Sequence, residues 1–208
     1  MWSLKRIGRN AMAIAGVLCT PSLLEAQHVI DFGAIGCVQP QVRSFPSPFT
    51  IDGFTFTNGS GRDFASWCSS AIHYTGSAGL FNSGGNTTAT LTKVGGGVFG
   101  LQSIDLAPLY AGQIFFASID FTGTLQNQST VTQTFFVPTN SGRPALTTYV
   151  FGANFSNVIS VSWNQGGNDL HQFDNVTVAT VPEPSSMALL AGGLLGMTWM
   201  LVRRRRSA

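Results

Sequence analysis

The segment "QIFFASIDFTGTL" at residues 113–125 has the clearest periodicity in the chain. Apolar and polar side chains alternate along it, as they do in a strand with one buried face. The apolar face comprises Phe115, Ala117, Ile119 and Phe121, and the polar face comprises Ser118, Asp120 and Thr122. The segment "VISVSW" at residues 158–163 repeats the pattern, with Ile159, Val161 and Trp163 predicted to point inward. Both segments are therefore predicted to be half-buried β-strands.

Similar short apolar segments recur along the middle of the chain. The nine candidate strands lie at residues 28–34, 49–58, 89–94, 97–106, 113–125, 129–137, 145–153, 158–163 and 171–180. Glycine-rich turn sequences separate several of them, among them "NSGGN" at 82–86 and "NQGGN" at 164–168. All sixteen phenylalanines lie in this region, and no amphipathic helix is evident. We predict an all-β fold, a single jelly-roll-like antiparallel β-sandwich over residues 27–180.

Two cysteines, Cys37 and Cys68, lie within this predicted domain. In an exported protein an even pair favours a disulfide, and two separate buried thiols are the alternative. A zinc site is disfavoured because neither a Cys-x-x-Cys motif nor paired histidines accompany them.

Residues 1–26 are typical of a secretory signal peptide. Lys5, Arg6 and Arg9 precede an apolar run at residues 11–18. We expect cleavage after Ala26, so the sandwich would begin at residue 27.

The C-terminal segment, residues 181–208, has the features of a membrane anchor. Residues 185–202 form an uncharged run of 18 residues, which as a helix would extend about 27 Å, close to a bilayer's hydrocarbon thickness. The basic tail that follows comprises Arg203, Arg204, Arg205 and Arg206. Such a tail favours the cytoplasmic side, so the sequence predicts a transmembrane helix with the sandwich outside.

The net charge of +2 arises from the two ends of the chain. Four cationic residues and seven aspartates lie between residues 27 and 181, so the predicted domain is acidic. We therefore expect no nucleic-acid partner.

The C-terminal segment resembles the PEP-CTERM sorting signal of Gram-negative bacteria. The resemblance rests on "VPEP" at 181–184, the short apolar run and the arginine tail, in that order. It implies that Pro182, Glu183 and Pro184 are recognised by an exosortase, a membrane transpeptidase-like protease that would cut nearby. The segments "VIDFGAI", "GFTFTN" and "FDNVTV" also make the body similar to galactose-binding-like sandwiches, the fold of many carbohydrate-binding modules.

No motif for catalysis is present, and we expect no catalytic residue, cofactor or metal site. Asp105 and Asp120 could form a glycosidase pair, but turn or strand-end roles are favoured. The body contains no glutamate, the commonest acid for that chemistry. The three histidines, His28, His73 and His171, are expected on strand surfaces. A calcium site would require Asp31 and Asp174 to meet on adjacent strands.

Carbohydrate binding would need an aromatic platform beside polar groups. The candidate platform residues are Trp67, Tyr74, Tyr110, Tyr149 and Trp163. The most suggestive stretch is "WNQGGND" at 163–169, with Asn164, Gln165, Asn168 and Asp169 beside a ring. The favoured interpretation, however, is that Trp163 is a core residue followed by a polar turn.

These features together predict an exported, non-catalytic protein of the cell surface or exopolysaccharide matrix. Its expected partners are an exosortase, the inner membrane before processing, and extracellular polysaccharide as the candidate ligand. The alternatives are an extracellular glycan hydrolase and a purely structural surface protein without a ligand.

Overall fold

The computed structural model describes residues 26–180 and Leu194. Between Ala26 and Thr180 the chain forms thirteen strands: β1 Ala26–Ile30, β2 Val42–Phe45, β3 Phe49–Ile51, β4 Phe54–Asn58, β5 Phe64–Trp67, β6 Leu80–Asn82, β7 Thr87–Lys93, β8 Phe99–Pro108, β9 Ala117–Leu125, β10 Thr130–Val137, β11 Thr147–Val150, β12 Val158–Gln165 and β13 His171–Thr180. Two short 3-10 helices, Gly33–Ile35 and Ala153–Phe155, complete the described elements.

The strands form two antiparallel sheets. The first sheet has the order β2-β5-β6-β13-β8-β11, and β1 pairs with the C-terminal half of β13. The second sheet has the order β3-β4-β7-β12-β9-β10. Hydrogen bonding joins the sheets at one position, where Val158 of β12 pairs with Phe99 of β8. The structure therefore confirms the predicted all-β, jelly-roll-like antiparallel sandwich.

Aromatic side chains from both sheets fill the space between them. Phe173 of the first sheet lies 5.8 Å from Phe56 and 5.0 Å from Trp163 of the second, measured between ring centroids. Phe121 stacks on Trp163 at 5.4 Å. All four side chains are buried, and each buried aromatic contributes about 1.5–3 kcal/mol of transfer free energy. These side chains fix the separation of the two sheets.

The described part of the chain has thirteen strands, whereas nine were predicted. Strands β2, β5 and β6 were not predicted, because each has only three or four residues and is too short to show alternation. The predicted strand at 49–58 is instead a hairpin of β3 and β4. Asp52 and Gly53 have φ values of 51° and 77°, as a two-residue type I′ turn requires.

The predicted burial of two side chains, Phe115 and Ile159, is wrong. Phe115 precedes β9 and its side chain is 39% exposed, because β9 begins only at Ala117. Val158 rather than Ile159 is buried at the start of β12. The register between β12 and β9 shifts there, which indicates a bulge, and a bulge reverses the faces of the residues before it.

The predicted disulfide between Cys37 and Cys68 is confirmed, with the two Cα atoms 4.7 Å apart. Cys68 follows β5, and Cys37 precedes its pairing partner β2. The amide of Ser69 donates a hydrogen bond to the carbonyl of Cys37 at 2.8 Å. The bridge therefore attaches the loop before β2 to the edge of the first sheet.

The terminal segments lie outside the described residues. This applies to the predicted signal peptide except Ala26, the predicted transmembrane helix except Leu194, the motif residues Pro182, Glu183 and Pro184, and the basic tail at 203–206. Among the residues that the structure describes, no helix has the length and apolar character needed to cross a membrane.

Candidate functional site

Three rings, two of them half-buried, form a cluster at one end of the sandwich, where β8 ends and β13 begins. The ring of His73 lies 4.6 Å from that of Trp67 and 5.3 Å from that of Tyr110, between centroids. Trp67 and Tyr110 are themselves 6.1 Å apart. We call Trp67, His73 and Tyr110 the aromatic cluster. Of the predicted platform residues, the structure therefore brings Trp67 and Tyr110 together.

Hydrogen bonds hold the aromatic cluster in place. The indole Nε1 of Trp67 donates to the carbonyl of Leu109 at 3.1 Å, and Nδ1 of His73 accepts from the amide of Ala111 at 2.8 Å. Burial lowers the pKa of His73, which favours the neutral ring that this acceptor role needs. Tyr110 remains 40% exposed. The ring of Tyr110 is therefore the exposed member of the cluster, and it packs against Trp67 and His73, which hydrogen bonds hold in place.

A groove of about 230 Å³ lies beside the aromatic cluster. We call it the end groove. Its lining comprises Phe81, Asn82, Ser83, Gly84, Gly85, Leu109, Tyr110, Gln165, Gly166, Gly167, Leu170 and His171. None of these side chains is a carboxylate, an ammonium or a guanidinium group. The lining therefore combines apolar and neutral polar residues, and the side chain of Arg62 lies beside Gly84.

Two glycine-rich turns, at 82–86 and 164–168, form one side of the end groove. Gly166 has a φ of 111°, and a Cβ atom added there would lie 2.2 Å from the carbonyl oxygen of Gly85. A side chain at position 166 cannot fit without moving the backbone. The two turns, which the sequence showed only as separate loops, therefore pack backbone against backbone.

A buried glutamine, Gln113, connects the segments on the other side of the groove. Its Oε1 accepts from the amide of Leu109 at 3.1 Å, and its Nε2 donates to the carbonyl of Leu170 at 3.1 Å. The side chain is 4% exposed. It therefore fixes the loop after β8 to the residue before β13.

Two further buried glutamines act in the same way. The Oε1 of Gln165 accepts from the amide of Asn82 at 2.8 Å, and its Nε2 donates to the carbonyl of His171 at 2.8 Å. Gln172 donates to the carbonyl of His73 at 3.0 Å. Gln113 and Gln172 were not considered from the sequence, because an isolated glutamine gives no signal that it will be buried.

His171 was predicted on a strand surface, and this is wrong: its side chain is fully buried. Its Nδ1 lies 2.8 Å from the carbonyl oxygen of Asp169, which can only accept, so Nδ1 carries the proton. Burial lowers the pKa of His171 to about 4. Within residues 26–180, neither Nε2 of His171 nor the amide atoms of the Asn82 side chain have a hydrogen-bond partner.

The other two histidines differ from each other. His28 lies on β1 with an exposed side chain, as predicted, and its Nε2 is 3.4 Å from Asp52. His73 lies in the loop after β5, so the predicted strand position is wrong.

Several of the other predicted sugar-contacting residues make structural contacts. Trp163 is 1% exposed, which confirms the prediction that it belongs to the core. Asn164 accepts from the amide of Asp120 at 2.6 Å, and Asp169 accepts from that of Ser118 at 3.2 Å. Tyr149 donates to a backbone carbonyl through its hydroxyl, and burial raises its pKa. Of the polar residues in 163–169, Gln165 lines the end groove with its two neighbouring glycines.

Asp105 and Asp120 do not form a pair. Asp105, within β8 of the first sheet, accepts from the hydroxyl of Thr148 at 2.6 Å. Asp120, within β9 of the second sheet, accepts from that of Thr134 at 2.7 Å. The predicted turn or strand-end role is wrong, because each carboxylate lies inside a strand and binds a threonine on the neighbouring strand.

Asp31 and Asp174 lie close together, as the calcium hypothesis required, since β1 pairs with β13. Asp174 accepts from the amides of Phe32 and Asn175 at 3.2 and 2.8 Å. Burial raises its pKa, and the negative charge of Asp31 adds to this effect. Within the described part of the chain, no three His, Cys, Asp or Glu side chains are grouped as a metal site would require.

Comparison with known proteins identifies one family feature. The PEP-CTERM protein-sorting motif matches residues 180–206. No curated protein matches the chain. Among solved structures, two mutant carbohydrate-binding modules of family 29 are similar to this chain at 10% and 11% identity, both with a TM-score of 0.37. The alignments cover 75% of this chain with 92% of the first module, and 78% of this chain with 94% of the second. The chain therefore carries a PEP-CTERM sorting motif directly after its β-sandwich.

Proposed function

We propose that this protein is an exported, non-catalytic component of the cell surface or exopolysaccharide matrix, sorted by an exosortase. The observation that carries the proposal is the position of the sorting motif. The motif begins at residue 180, where β13 ends at Thr180. Processing within 181–208 would therefore leave every strand of the sandwich in place.

The end groove and the sorting motif lie at opposite ends of β13. His171, the first residue of this strand, lines the groove, and Thr180, the last, adjoins the motif. Ten residues of strand extend about 30 Å. A chain held by its C-terminal segment would therefore present the end groove away from the membrane.

Carbohydrate is the ligand class that the exposed end favours. A sugar ring has an apolar C–H face and several hydroxyls, and the aromatic cluster beside a groove with neutral polar residues offers a partner for each. Asp105 and Asp120, the candidate catalytic pair for glycan hydrolysis, belong to different sheets and do not form a pair. A binding role is therefore favoured over glycan hydrolysis.

The sorting proposal is tested in a bacterial host that carries an exosortase. The variant Pro182→Ala/Glu183→Ala changes the motif, and Pro138→Ala, at an exposed position of the sandwich, is the control. We expect wild-type protein and the control on the surface or in the medium, and the double variant in the inner-membrane fraction. The same distribution for all three chains would contradict the proposal.

A further inference from the structure

We propose that the end groove binds a uronate residue of an acidic polysaccharide, with Arg62 pairing with its carboxylate and Tyr110 packing on its ring. This inference rests on the proposed carbohydrate-binding role and names the class of sugar. It derives from an unpaired guanidinium group on one side of the groove and an exposed aromatic ring on the other.

The side chain of Arg62 lies at the rim of the end groove. It is exposed, and its stem packs against the bare backbone of Gly84, a lining residue: a Cβ atom added there would lie 2.5 Å from Cδ of Arg62. Within residues 26–180 the guanidinium group makes no ion pair and no hydrogen bond. Arg43, by contrast, donates to a backbone carbonyl and lies over the ring of Phe45. Arg62 therefore has free donors at an accessible position.

Hydrogen bonds fix the loop that carries Arg62. The amide of Arg62 donates to the hydroxyl of Ser60 at 3.3 Å, and that hydroxyl donates to Oδ1 of Asn58 at 2.8 Å. The amide and the hydroxyl of Ser83 both donate to the carbonyl of Asp63, at 3.1 and 2.6 Å. The loop after β4 is thus attached to the turn after β6, and the backbone of Arg62 is held beside the groove.

Tyr110 lies on the other side of the groove. Gly84 follows β6 and Tyr110 follows β8, and these two strands are the neighbours of β13 on either side. Since adjacent strands are about 4.8 Å apart, the two walls are separated by about 10 Å. The volume of about 230 Å³ between them is enough for one pyranose ring.

A uronate combines the two features that these walls recognise. A guanidinium group binds a carboxylate through two parallel N–H···O bonds, and an aromatic ring packs on the C–H face of a sugar. A neutral sugar could use Tyr110 but would leave Arg62 without a partner. An amino sugar would bring a second positive charge next to Arg62. We therefore expect uronates to bind more tightly than neutral sugars, and neutral sugars more tightly than amino sugars.

The charge of the rest of the domain makes this preference a local effect. Four cationic residues and seven aspartates lie between residues 27 and 181, so long-range electrostatics disfavours a polyanion. Asp63, next to Arg62 in the sequence, makes no ion pair with it. The carboxylate of Asp169, by the other glycine turn, already accepts from the amide of Ser118. Attraction of an acidic sugar therefore has to come from Arg62.

Binding is measured by isothermal titration calorimetry on the full-length chain, in a non-ionic detergent without a sugar headgroup. The probes are trisaccharides of galacturonate, mannuronate and guluronate, with their methyl esters as matched neutral sugars and the glucosamine trisaccharide as the amino sugar. We expect at least one uronate to bind about tenfold or more tightly than its ester, with an affinity that falls as salt is added. Equal affinity for every acid and its ester, or a preference for the esters or the amino sugar, would overturn the proposal.

Three variants locate the binding site. Arg62→Gln removes the guanidinium group, Arg62→Lys keeps the charge without the planar fork, and Lys93→Gln removes one positive charge at the other end of β7 from the glycine turn at 82–86. We expect Arg62→Gln to weaken uronate binding about tenfold or more, to the level of the ester, and Arg62→Lys to be intermediate. Lys93→Gln should bind as wild type does. Equal losses in Arg62→Gln and Lys93→Gln would show a general charge effect and overturn the assignment.

Tyr110→Ala tests the other wall. We expect it to weaken binding of the uronates and of their esters alike, because the ring contacts the sugar rather than its charge. Since the guanidinium group of Arg62 has no partner and Tyr110 is exposed, all these variants should keep the wild-type thermal midpoint. Wild-type affinity for the uronates in Tyr110→Ala would overturn the placement of the ligand in the end groove.

The outcomes separate this inference from the proposed function. If the esters bind as tightly as the acids, and Arg62→Gln changes neither, the acidic-sugar assignment is wrong and the carbohydrate-binding role stands. If no trisaccharide binds, both are wrong. Sorting is measured independently by fractionation, so neither result changes the test of the proposed export.

Discussion

His171 shows how the fold controls the chemistry of one residue. It is the first residue of β13, fully buried, with Nδ1 bonded to the carbonyl of Asp169. Burial disfavours the imidazolium form and brings the pKa to about 4. The residue therefore remains neutral at physiological pH and has an acceptor at Nε2.

This shift predicts a pH dependence of stability. The folded pKa of His171 lies below the unfolded value of 6.5, so the unfolded chain binds more protons between these values. Stability is fully present above about pH 6.5 and decreases as the pH falls toward 4, by about 2–3 kcal/mol.

The measurement is urea unfolding of wild type and His171→Phe between about pH 7 and about pH 4.5. Other titrating groups, including Asp174 with its raised pKa, are common to both chains and cancel in the difference. We expect the variant to lose less stability than wild type over this range. Parallel curves for the two chains would show that His171 is not buried in a neutral form.

At the scale of elements, strands within a long alternating or apolar segment were predictable, and the isolated short strands β2, β5 and β6 were not. Strands β9, β10 and β13 have eight to ten residues, enough for several periods of alternation or a long apolar run. Strand β5 has four residues, three of them buried, and so has no alternation to detect. Strand β5 is defined by its pairing with β2 and β6. These two strands are themselves too short to be recognised from the sequence.

The paired glycine turns give a prediction about close backbone packing. We expect Gly166→Ala to destabilise the fold by about 2–4 kcal/mol, because alanine is strained at a φ of 111° and its Cβ would lie 2.2 Å from the carbonyl oxygen of Gly85. Gly142→Ala is the matched control, since a Cβ there meets no atom within 4 Å. Urea unfolding measures both. Equal stability of the two variants would refute the packing of the turns.

The Cys37–Cys68 disulfide is expected to raise the free energy of unfolding of the sandwich. It closes a sequence separation of 31 residues, for which the chain-entropy model gives about 3.5–4 kcal/mol. We expect Cys37→Ala/Cys68→Ala to lower the free energy of unfolding by about this amount, and a reducing agent to lower that of wild type similarly. If reduction leaves the wild-type unfolding midpoint unchanged, the bridge does not stabilise the sandwich.

At the scale of the whole molecule, the end groove and the sorting motif lie at opposite ends of β13. The last residue of β13 leads into the sorting motif, and the first lies in the end groove. The fold class and the sorting motif were predictable because both depend on patterns that are continuous in sequence. The end groove was not, because it is assembled from four separate segments and supported by glutamines whose burial depends on their tertiary partners.

The position of the motif relative to the fold is tested most directly by intact-mass spectrometry. The protein is recovered from the surface or medium of an exosortase-containing host, and its C-terminal residue is identified from the mass and from peptide sequencing. We predict a processed chain that retains residues 27–180, with the C-terminal cut within 181–208. A chain cut before Thr180, which would remove part of β13, or a surface chain still carrying all of 181–208, would contradict it.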